Sequence, residues 1–220
     1  MTLILGIDDA GRGPVLGPMV LAGVLTDEKE NETLKTWGAK DSKLLSPKKR
    51  KEIKENIINK YKYHVETSSP KEIDESSNLN YLEAIKTAKI INKLTENSKE
   101  KIKVIVDCPS TNIQSWSNDV QQLIKRPEII SLSCEHKADY NHPIVSAASI
   151  LAKEKREDEM KRLRNEAEID FGSGYPADPK TKEFISENFD NPKHVPIIRF
   201  SWSTVKKLMD MKGSSQKKLF

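Results

Sequence analysis

The chain of 220 residues has little cysteine and no long apolar segment. Its two cysteines, Cys108 and Cys134, each close an apolar run, which fits buried thiols in a reducing compartment better than a disulfide framework or a cysteine-based metal site. No stretch approaches the roughly 18 apolar residues of a membrane span. Asp8 and Asp9 interrupt the first apolar run, and no basic segment precedes it, so we expect no signal peptide and a location in the cytosol.

The composition is also lean in hydrophobic residues, at 36%, and rich in charged residues, at 32%. Periodic apolar segments nevertheless supply enough material for one compact core, which excludes a chain that is disordered throughout. The net charge is +4, and residues 193–220 contain seven lysines and arginines against one acid, Asp210. This basic end is consistent either with a solvated lysine surface or with contacts to phosphates.

Apolar runs and helical spacing predict an α/β layered domain. The predicted strands are residues 3–7, 19–25, 61–67, 103–108 and 128–134. The predicted helices are one after Pro47 with Ser46 as N-cap, then residues 79–94, part of 112–124, 144–167, 181–188 and 203–211, with Gly213 to Ser215 loosening the end. A glycine- and proline-rich connection joins the first two strands as a hairpin-like pair, so we expect about five strands, antiparallel at the start.

Four aspartates are predicted at the ends of strands or just before a helix. Asp8 and Asp9 follow the first strand, Asp107 ends the fourth, and Asp139 precedes the helix that starts at Ile144. One such residue is usually a turn or cap residue. Four together favour a site for Mg²⁺ or Mn²⁺, because carboxylates are hard oxygen ligands and a cluster of them repels itself unless a cation is bound.

A glycine loop, Gly11-Arg12-Gly13-Pro14, follows the first two aspartates. Strand alternation sends Asp8 and Asp9 to opposite faces, so both serve one site only if the strand stops there, and this loop is suited to stop it. Arg12 and Gly13 stand where a phosphate-binding P-loop requires Lys and Ser or Thr, which excludes that motif. The spacing of the glycines excludes the dinucleotide fingerprint as well. Close backbone approach to a ligand and a simple hairpin turn remain alternatives.

One face of the helix after Asp139 carries hydroxyls and cations at intervals of three, four and three residues: Ser146, Ser149, Lys153 and Arg156. Such a face can hold phosphate oxygens. Equally, the serines can allow close helix packing while the cations are solvated, and the spacing does not decide between the two interpretations.

Six ordered motifs then resemble those of a known family. They are Ile7-Asp8-Asp9-Ala10-Gly11-Arg12-Gly13-Pro14, Lys40-Asp41-Ser42-Lys43, Val106-Asp107, His136-Lys137-Ala138-Asp139, Ser146-Ala147-Ala148-Ser149-Ile150-Leu151-Ala152-Lys153 and Gly172-Ser173-Gly174-Tyr175-Pro176. Over about residues 3–190 the chain resembles type 2 ribonuclease H (ribonuclease HII), most closely its archaeal members. The resemblance implies an α/β, ribonuclease H-like catalytic domain over 1–190, with a mixed five-stranded sheet flanked by helices. Residues 191–220 would form a basic C-terminal helical extension and a flexible tail.

The resemblance also implies an activity and its residues. It implies hydrolysis of the RNA strand of RNA/DNA hybrids and nicking 5′ of single ribonucleotides in duplex DNA, with two Mg²⁺ or Mn²⁺ ions per active site and 3′-hydroxyl and 5′-phosphate products. The metal-binding catalytic residues would be Asp8, Asp9, Asp107 and Asp139. Recognition of the ribose 2′-hydroxyl would fall to Gly11, Arg12, Gly13 and Tyr175, and phosphate contacts to Lys43, Ser146, Ser149 and Lys153.

Two positions depart from the family pattern. Asp9 stands where the family usually has Glu, and its carboxylate reaches about 1.5 Å less far. Glu157 stands where Asp is common. A nucleic-acid-binding module with a defunct metal site therefore remains an alternative to an enzyme. A phosphoaspartate-forming phosphatase is disfavoured, because it would require Asp-x-Asp where Asp8 and Asp9 are adjacent.

The last five residues, from Gln216 to Phe220, look like the front of a peptide that binds a sliding clamp. The aromatic pair that usually follows farther on is missing, so a frayed basic tail is the alternative. We expect no membrane partner and a monomer.

Overall fold

The computed structural model describes residues 2–39 and 45–216, with side chains as far as residue 211. The strands are β1 (Leu3–Ala10), β2 (Met19–Asp27), β3 (Lys62–Ser68), β4 (Ile102–Asp107) and β5 (Ile130–Glu135). The helices are α1 (Asn31–Trp37), α2 (Pro47–Lys60), α3 (Pro70–Glu75), α4 (Leu79–Thr95), α5 (Ile113–Leu123), α6 (Ala138–Asn141), α7 (Pro143–Ala167), α8 (Pro179–Asn188) and α9 (Ser203–Gln216). All the strands and helices predicted from the sequence are present, and α1, α3 and α6 are additional.

The sheet is mixed, with the strand order β3-β2-β1-β4-β5. Strands β1 and β2 are antiparallel, whereas β4 runs parallel to both β1 and β5. This arrangement confirms the predicted five strands and the antiparallel start. Because β1 and β4 are adjacent and parallel, their carboxyl ends lie at the same edge of the sheet, where Asp8 and Asp107 occur.

The described residues divide into two compact units. The sheet unit comprises the described parts of residues 1–10, 20–67 and 78–155, and the helical unit comprises those of 11–19, 68–77 and 156–220. The predicted domain boundary at residue 190 stays a prediction.

Helices cover both faces of the sheet in the sheet unit. On one face, Ile4 of β1 packs in a buried cluster with Ile53 and Ile57 of α2 and with Ile144 of α7. On the other face α4 comes so close to β2 that a Cβ atom on Gly23 would lie 2.3 Å from Cγ2 of Ile90. The indole of Trp116 in α5 donates to the carbonyl of Asn80, 2.9 Å away, which joins α5 to α4.

Helix α7 begins against β1 at Gly6, where only a glycine fits. A Cβ atom at Gly6 would lie 2.5 Å from both the carbonyl carbon and the carbonyl oxygen of Ile144 and 2.7 Å from the nitrogen of Val145. These are backbone atoms, which cannot move aside as the end of a flexible side chain can. The close approach also places the following turns of α7 over the end of β1.

We expect Gly6→Ala to lower the free energy of unfolding by about 3 kcal/mol, because the added methyl must push strand and helix apart. Gly13→Ala is the matched control, since its Cβ atom would meet only Cε1 of Tyr175 at an ordinary 3.8 Å. Urea unfolding of both variants measures the difference. Equal midpoints for the two variants would show that the β1–α7 approach is not tight.

The helical unit has its own core. Val15 and Leu16 pack with Met160, Phe171 and Phe184 and with further apolar residues of α7, α8 and α9. Asp74 of α3 accepts hydrogen bonds from the backbone nitrogens of Phe200 (2.7 Å) and Ser201 (2.9 Å), which fixes the segment that leads into α9.

Some local expectations differ from the structure. Strand β1 continues to Ala10 and pairs with β2 along its whole length, so the strand does not stop at the two aspartates. Helix α9 continues to Gln216 rather than loosening at Gly213. Cys108 is buried and Cys134 half-buried, both as free thiols. Within the described residues, no helix combines the length and apolar character needed to cross a bilayer.

Candidate active site

Asp8 lies near the end of β1 and is only 5% exposed. Its Oδ1 accepts a hydrogen bond from the backbone nitrogen of Asp9 at 2.7 Å, and the Ser149 hydroxyl also hydrogen-bonds its carboxylate. Burial raises the pKa of Asp8 well above its usual range, and the charges of Asp9 and Asp107 raise it further, outweighing the two hydrogen bonds. The site therefore holds a buried carboxyl group whose negative form is poorly compensated by the protein alone.

Asp107 ends β4, one residue beyond the Ile7–Val106 pair of the β1–β4 ladder. Its Oδ1 accepts a hydrogen bond from the backbone nitrogen of Ala138 at 2.8 Å. This bond ties the end of β4 to the first turn of α6, whose next residue is Asp139. Asp139 is half-buried.

Asp9 faces the opposite side of the sheet from Asp8 because β1 remains a regular strand at both residues. It lines a small cavity between the sheet and helices α4 and α5, together with Glu83, Thr87 and Trp116. Asp8 and Asp107 border the same cavity where β1 and β4 end, so the two adjacent aspartates share one cavity although the strand does not stop at them. Glu83 is 1% exposed, and the buried hydroxyl of Thr87 has no hydrogen-bond partner among the described residues. Polar groups of α4 thus accompany the aspartates, an arrangement that the spacing of the aspartates did not indicate.

The donor chemistry of these residues fits a divalent cation, since Asp8, Asp9 and Asp107 place carboxylates within electrostatic reach of one another. A bound cation would offset both the burial and the repulsion that raise the pKa of Asp8. In the conformation described for residues 2–39 and 45–216, no three His, Cys, Asp or Glu side chains are arranged to hold a metal ion. The fit therefore lies in the type and charge of the side chains, and binding would require them to converge further.

The helical unit brings the glycine loop and Tyr175 together. Gly11 has a φ of +88°, and a Cβ atom there would lie 2.3 Å from Nε of Arg156. Cε1 of Tyr175 lies 3.8 Å from where a Cβ atom would stand on Gly13. Tyr175 is 46% exposed, and the guanidinium carbon of Arg156 lies 5.7 Å from the centroid of its ring. The loop and the ring thus form one surface with a buried cation beside it.

Backbone hydrogen bonds hold this surface in place. The nitrogens of Val15 and Leu16 both donate to the carbonyl of Gly174, at 2.8 and 3.2 Å. Gly174 has a φ of +80°, which a side chain would strain, and the nitrogen of Tyr175 donates to the hydroxyl of Ser173 at 3.3 Å. The turn that carries Tyr175 is therefore fixed to the loop by the main chain.

The residues predicted to contact phosphate have different environments. Ser146 and Ser149 are buried, at 0% and 1% exposure, and Ser149 hydrogen-bonds Asp8. Lys153 is half-buried, and Lys43 lies outside the described residues. A phosphate contact for each of these residues stays a prediction.

Sequence reasoning missed Glu83 and Arg199. Glu83 lies on α4 among buried residues such as Leu82 and Ala84, and a carboxylate in a predominantly buried stretch was the available signal. Arg199 belongs to the basic C-terminal end of the sequence, but it is fully buried, and the sequence carries no sign of that burial. A solvated surface over residues 193–220 is thus wrong for Arg199.

The fold is shared with solved structures of known proteins. The crystal structure of the ribonuclease H2 from Pyrococcus horikoshii OT3 matches with a TM-score of 0.83 and 37% identity over 96% of this chain and 98% of that chain. Ribonuclease HII in the PCNA:RNase HII complex from Archaeoglobus fulgidus matches with a TM-score of 0.79 and 34% identity, over 91% and 95% of the two chains. This likeness confirms the predicted ribonuclease H-like fold.

Comparison of the sequence agrees. The ribonuclease HII family model matches residues 5–205. A ribonuclease HII of Methanococcus maripaludis (strain C6) is 42% identical over 99% of this chain and 91% of its own length. The chain belongs to the ribonuclease HII family, so the predicted resemblance is confirmed. It is a ribonuclease H, an endonuclease that acts on RNA/DNA substrates.

Proposed function

We propose that this endonuclease hydrolyses the RNA strand of RNA/DNA hybrids and also nicks 5′ of single ribonucleotides in duplex DNA, leaving 3′-hydroxyl and 5′-phosphate ends. It would act as a cytosolic monomer with two Mg²⁺ or Mn²⁺ ions per active site. The observation that carries the proposal is that Asp8, Asp9 and Asp107 line one cavity at the edge where the parallel strands β1 and β4 end. Burial, together with the charges of Asp9 and Asp107, raises the pKa of Asp8 there.

Bound divalent ions would supply an activated water and charge stabilisation for the leaving oxygen of the phosphodiester. Asp8 would hold both ions, because its carboxyl group interacts electrostatically with both Asp9 and Asp107. Asp107 and Asp139 would complete the separate ligand sets, and the bond from Ala138 to Asp107 supports their common placement. Ser149 would orient the Asp8 carboxylate through its hydrogen bond.

Selection of RNA requires groups that respond to the 2′-hydroxyl, which both donates and accepts hydrogen bonds and which deoxyribose lacks. Main-chain groups of Gly11, Arg12 and Gly13 can approach a sugar closely, because two of these residues have no side chain. Tyr175 lies beside Gly13 and offers an exposed ring for a sugar and a hydroxyl for hydrogen bonding. Phosphate contacts by Lys43, Ser146, Ser149 and Lys153 remain part of the proposal.

A duplex DNA that contains one ribonucleotide tests the proposed function directly. We expect a single nick on the 5′ side of the ribonucleotide in Mg²⁺ or Mn²⁺ and no cleavage in EDTA or of the all-DNA duplex. A nucleic-acid-binding module with a defunct metal site would bind these duplexes without nicking them. Binding without cleavage of both the single-ribonucleotide duplex and a long RNA/DNA hybrid would contradict the proposal that the protein is an enzyme.

Tyr175→Ala is expected to slow nicking at a single ribonucleotide by about tenfold or more, since both the ring and the hydroxyl are lost beside the glycine loop. Tyr175→Phe separates the two contributions by keeping the ring. Tyr63→Ala, which removes a tyrosine of similar exposure (44%) from β3, is the control. Single-turnover rates measure the effect, and an unchanged rate for Tyr175→Ala would remove this residue from ribonucleotide recognition.

Binding to a sliding clamp is a further part of the proposal. The relative from Archaeoglobus fulgidus is found in a PCNA:RNase HII complex. The C-terminal sequence from Gln216 to Phe220 resembles the front of a clamp-binding peptide. Lys217 to Phe220 and the side chain of Gln216 lie outside what the structure describes, so the proposal rests on the sequence of the tail and on the relative.

A further inference from the structure

One buried arginine of the helical unit bonds the first two residues of the glycine loop and also Gly17, which follows the loop. Arg199 is 0% exposed, and its three guanidinium nitrogens each donate to a main-chain carbonyl. Nη2 bonds the oxygen of Gly11 at 2.7 Å, Nη1 that of Arg12 at 3.1 Å, and Nε that of Gly17 at 2.8 Å. A side chain near the C-terminal end of the chain thus gathers the carbonyls of a loop near its beginning.

Main-chain hydrogen bonds also hold Arg199 and its neighbour Ile197 against residues 15–17, which follow the glycine loop. The backbone nitrogen of Arg199 donates to the carbonyl of Val15 at 2.9 Å, and the nitrogen of Gly17 donates to the carbonyl of Ile197 at 2.8 Å. The guanidinium carbon also lies 5.1 Å from the ring centroid of Trp202. These contacts hold the arginine in place independently of its guanidinium bonds. Its rigid planar guanidinium can therefore impose a geometry on the carbonyls that it binds.

The carbonyl bonds determine where the loop's N–H groups point. In a planar trans peptide the C=O and N–H bonds point in opposite directions. The carbonyl of Gly11 shares its peptide with the nitrogen of Arg12, and the carbonyl of Arg12 shares its peptide with the nitrogen of Gly13. Because Arg199 draws both carbonyls toward the buried guanidinium, the N–H groups of Arg12 and Gly13 are turned to the opposite side of the loop.

Part of the loop is accessible to solvent. Gly13 is exposed, and Arg12 is half-buried. Cε1 of Tyr175 lies 3.8 Å from the Cβ position of Gly13. The two N–H groups are thereby directed away from Arg199, at the part of the loop that Tyr175 borders.

We propose that Arg199 is a positioning residue for ribonucleotide recognition, which presents the N–H groups of Arg12 and Gly13 to the ribose 2′-hydroxyl by holding the carbonyls behind them. This inference rests on the proposed function of the glycine loop. Arg199 does not touch the substrate. Its loss changes the direction of the N–H groups, and so the preference for ribose, without altering contacts to the phosphate backbone.

The experiment compares binding of a duplex with one ribonucleotide and of the same duplex in DNA only, both in EDTA so that no cleavage occurs. The dissociation constant of the all-DNA duplex divided by that of the ribonucleotide duplex measures recognition of the 2′-hydroxyl. We expect Arg199→Met to reduce this ratio about tenfold or to unity, because two oriented hydrogen bonds are lost, while affinity for the all-DNA duplex stays within about twofold of wild type.

A destabilised helical unit must be distinguished from a misdirected loop. Phe184→Leu is the matched control, since it removes packing from the core between Phe171 and His194 without touching the glycine loop. We expect this variant to melt at a lower temperature yet to keep the wild-type ratio. Arg199→Lys keeps the charge but lacks the planar fork, and it carries the test if Arg199→Met fails to fold. We expect its ratio to fall as well.

The outcomes separate this inference from the proposed function. A folded Arg199→Lys or Arg199→Met protein with the wild-type ratio overturns the positioning role, while the proposed function stands. A wild-type protein that binds both duplexes equally contradicts ribose recognition by the loop itself. A parallel fall of the ratio in Phe184→Leu would show that Arg199 acts only through stability, which also overturns the inference.

Discussion

Replacement of Asp8 by Asn is expected to abolish cleavage while the protein remains folded. The variant keeps the shape of the side chain and an oxygen that can accept the hydrogen bond from the nitrogen of Asp9. It removes the negative charge that would hold both cations, so we expect the single-turnover rate in Mg²⁺ to fall by at least about a thousandfold. A quenched assay on the duplex with one ribonucleotide measures the change.

The same variant is expected to be more stable than wild type in EDTA. Burial and the charges of Asp9 and Asp107 raise the pKa of Asp8, so the neutral amide relieves a repulsion that the carboxylate suffers in the native state. Asp210→Asn is the matched control, because it makes the same chemical change at an exposed residue of α9 and should keep full activity. Turnover by Asp8→Asn near the wild-type rate in Mg²⁺ would exclude Asp8 from the active site.

The second large effect concerns stability in the absence of metal. A carboxyl group with a raised native pKa binds its proton more tightly in the folded than in the unfolded protein. Its stabilising contribution is therefore fully present below the unfolded pKa, about 3.9 for Asp, and is lost as the pH rises through the higher native pKa of Asp8. In EDTA we expect the Asp8 contribution to the free energy of unfolding to decline steadily above about pH 4.

Addition of Mg²⁺ or Mn²⁺ at neutral pH should restore that stability. A ligand that binds only the native state at a hundred times its dissociation constant stabilises it by about 2.7 kcal/mol. Carboxylates with a lowered pKa, such as Glu135 beside His142, act in the opposite direction and lose their contribution as the pH falls. The difference in the free energy of unfolding between wild type and Asp8→Asn, measured with urea at each pH, isolates the contribution of Asp8. A difference that is flat from pH 4 to 8 in EDTA, together with no stabilisation by metal, would contradict the account.

The central strands of the sheet were predicted well because they are largely apolar. Strands β1, β2 and β4 carry buried residues at most positions, and helices α4 and α7 are long, at 17 and 25 residues. Helices α1 and α3 escaped prediction because they have seven and six residues and little apolar pattern. Helix α3 also has a local N-cap, since the Ser69 hydroxyl accepts a hydrogen bond from the nitrogen of Glu72.

The sequence predicts the aspartates because the ends of apolar strands can be recognised in it. It does not predict the residues that surround them. Parallel pairing of β1 and β4 puts Asp8 and Asp107 at one edge, as strand order suggests. The position of Glu83 beside Asp9 depends on how α4 packs across the sheet, which no short motif encodes. Arg199 illustrates the same point, since its three carbonyl partners lie more than 180 residues away in the chain.

The proximity of Glu83 also bears on the residue that departs from the family pattern. Asp9 is shorter than the usual Glu, and in this chain it shares a cavity with a second, buried carboxyl group from α4. The negative charge on this side of the sheet is thus not confined to Asp9. The raised pKa of Asp8 reflects Asp9 before it reflects Asp107, so Asp9 retains its electrostatic connection to the site despite its length.

Anomalous scattering from crystals soaked in Mn²⁺ tests most directly whether these carboxylates form a metal centre. We predict anomalous density within coordination distance of the Asp8 and Asp107 carboxylates, with Asp9 or Asp139 moved toward it, and its loss in crystals of Asp8→Asn. Manganese bound only at other surfaces, with the oxygens of Asp8 and Asp107 still apart and no density between them, would contradict the central claim.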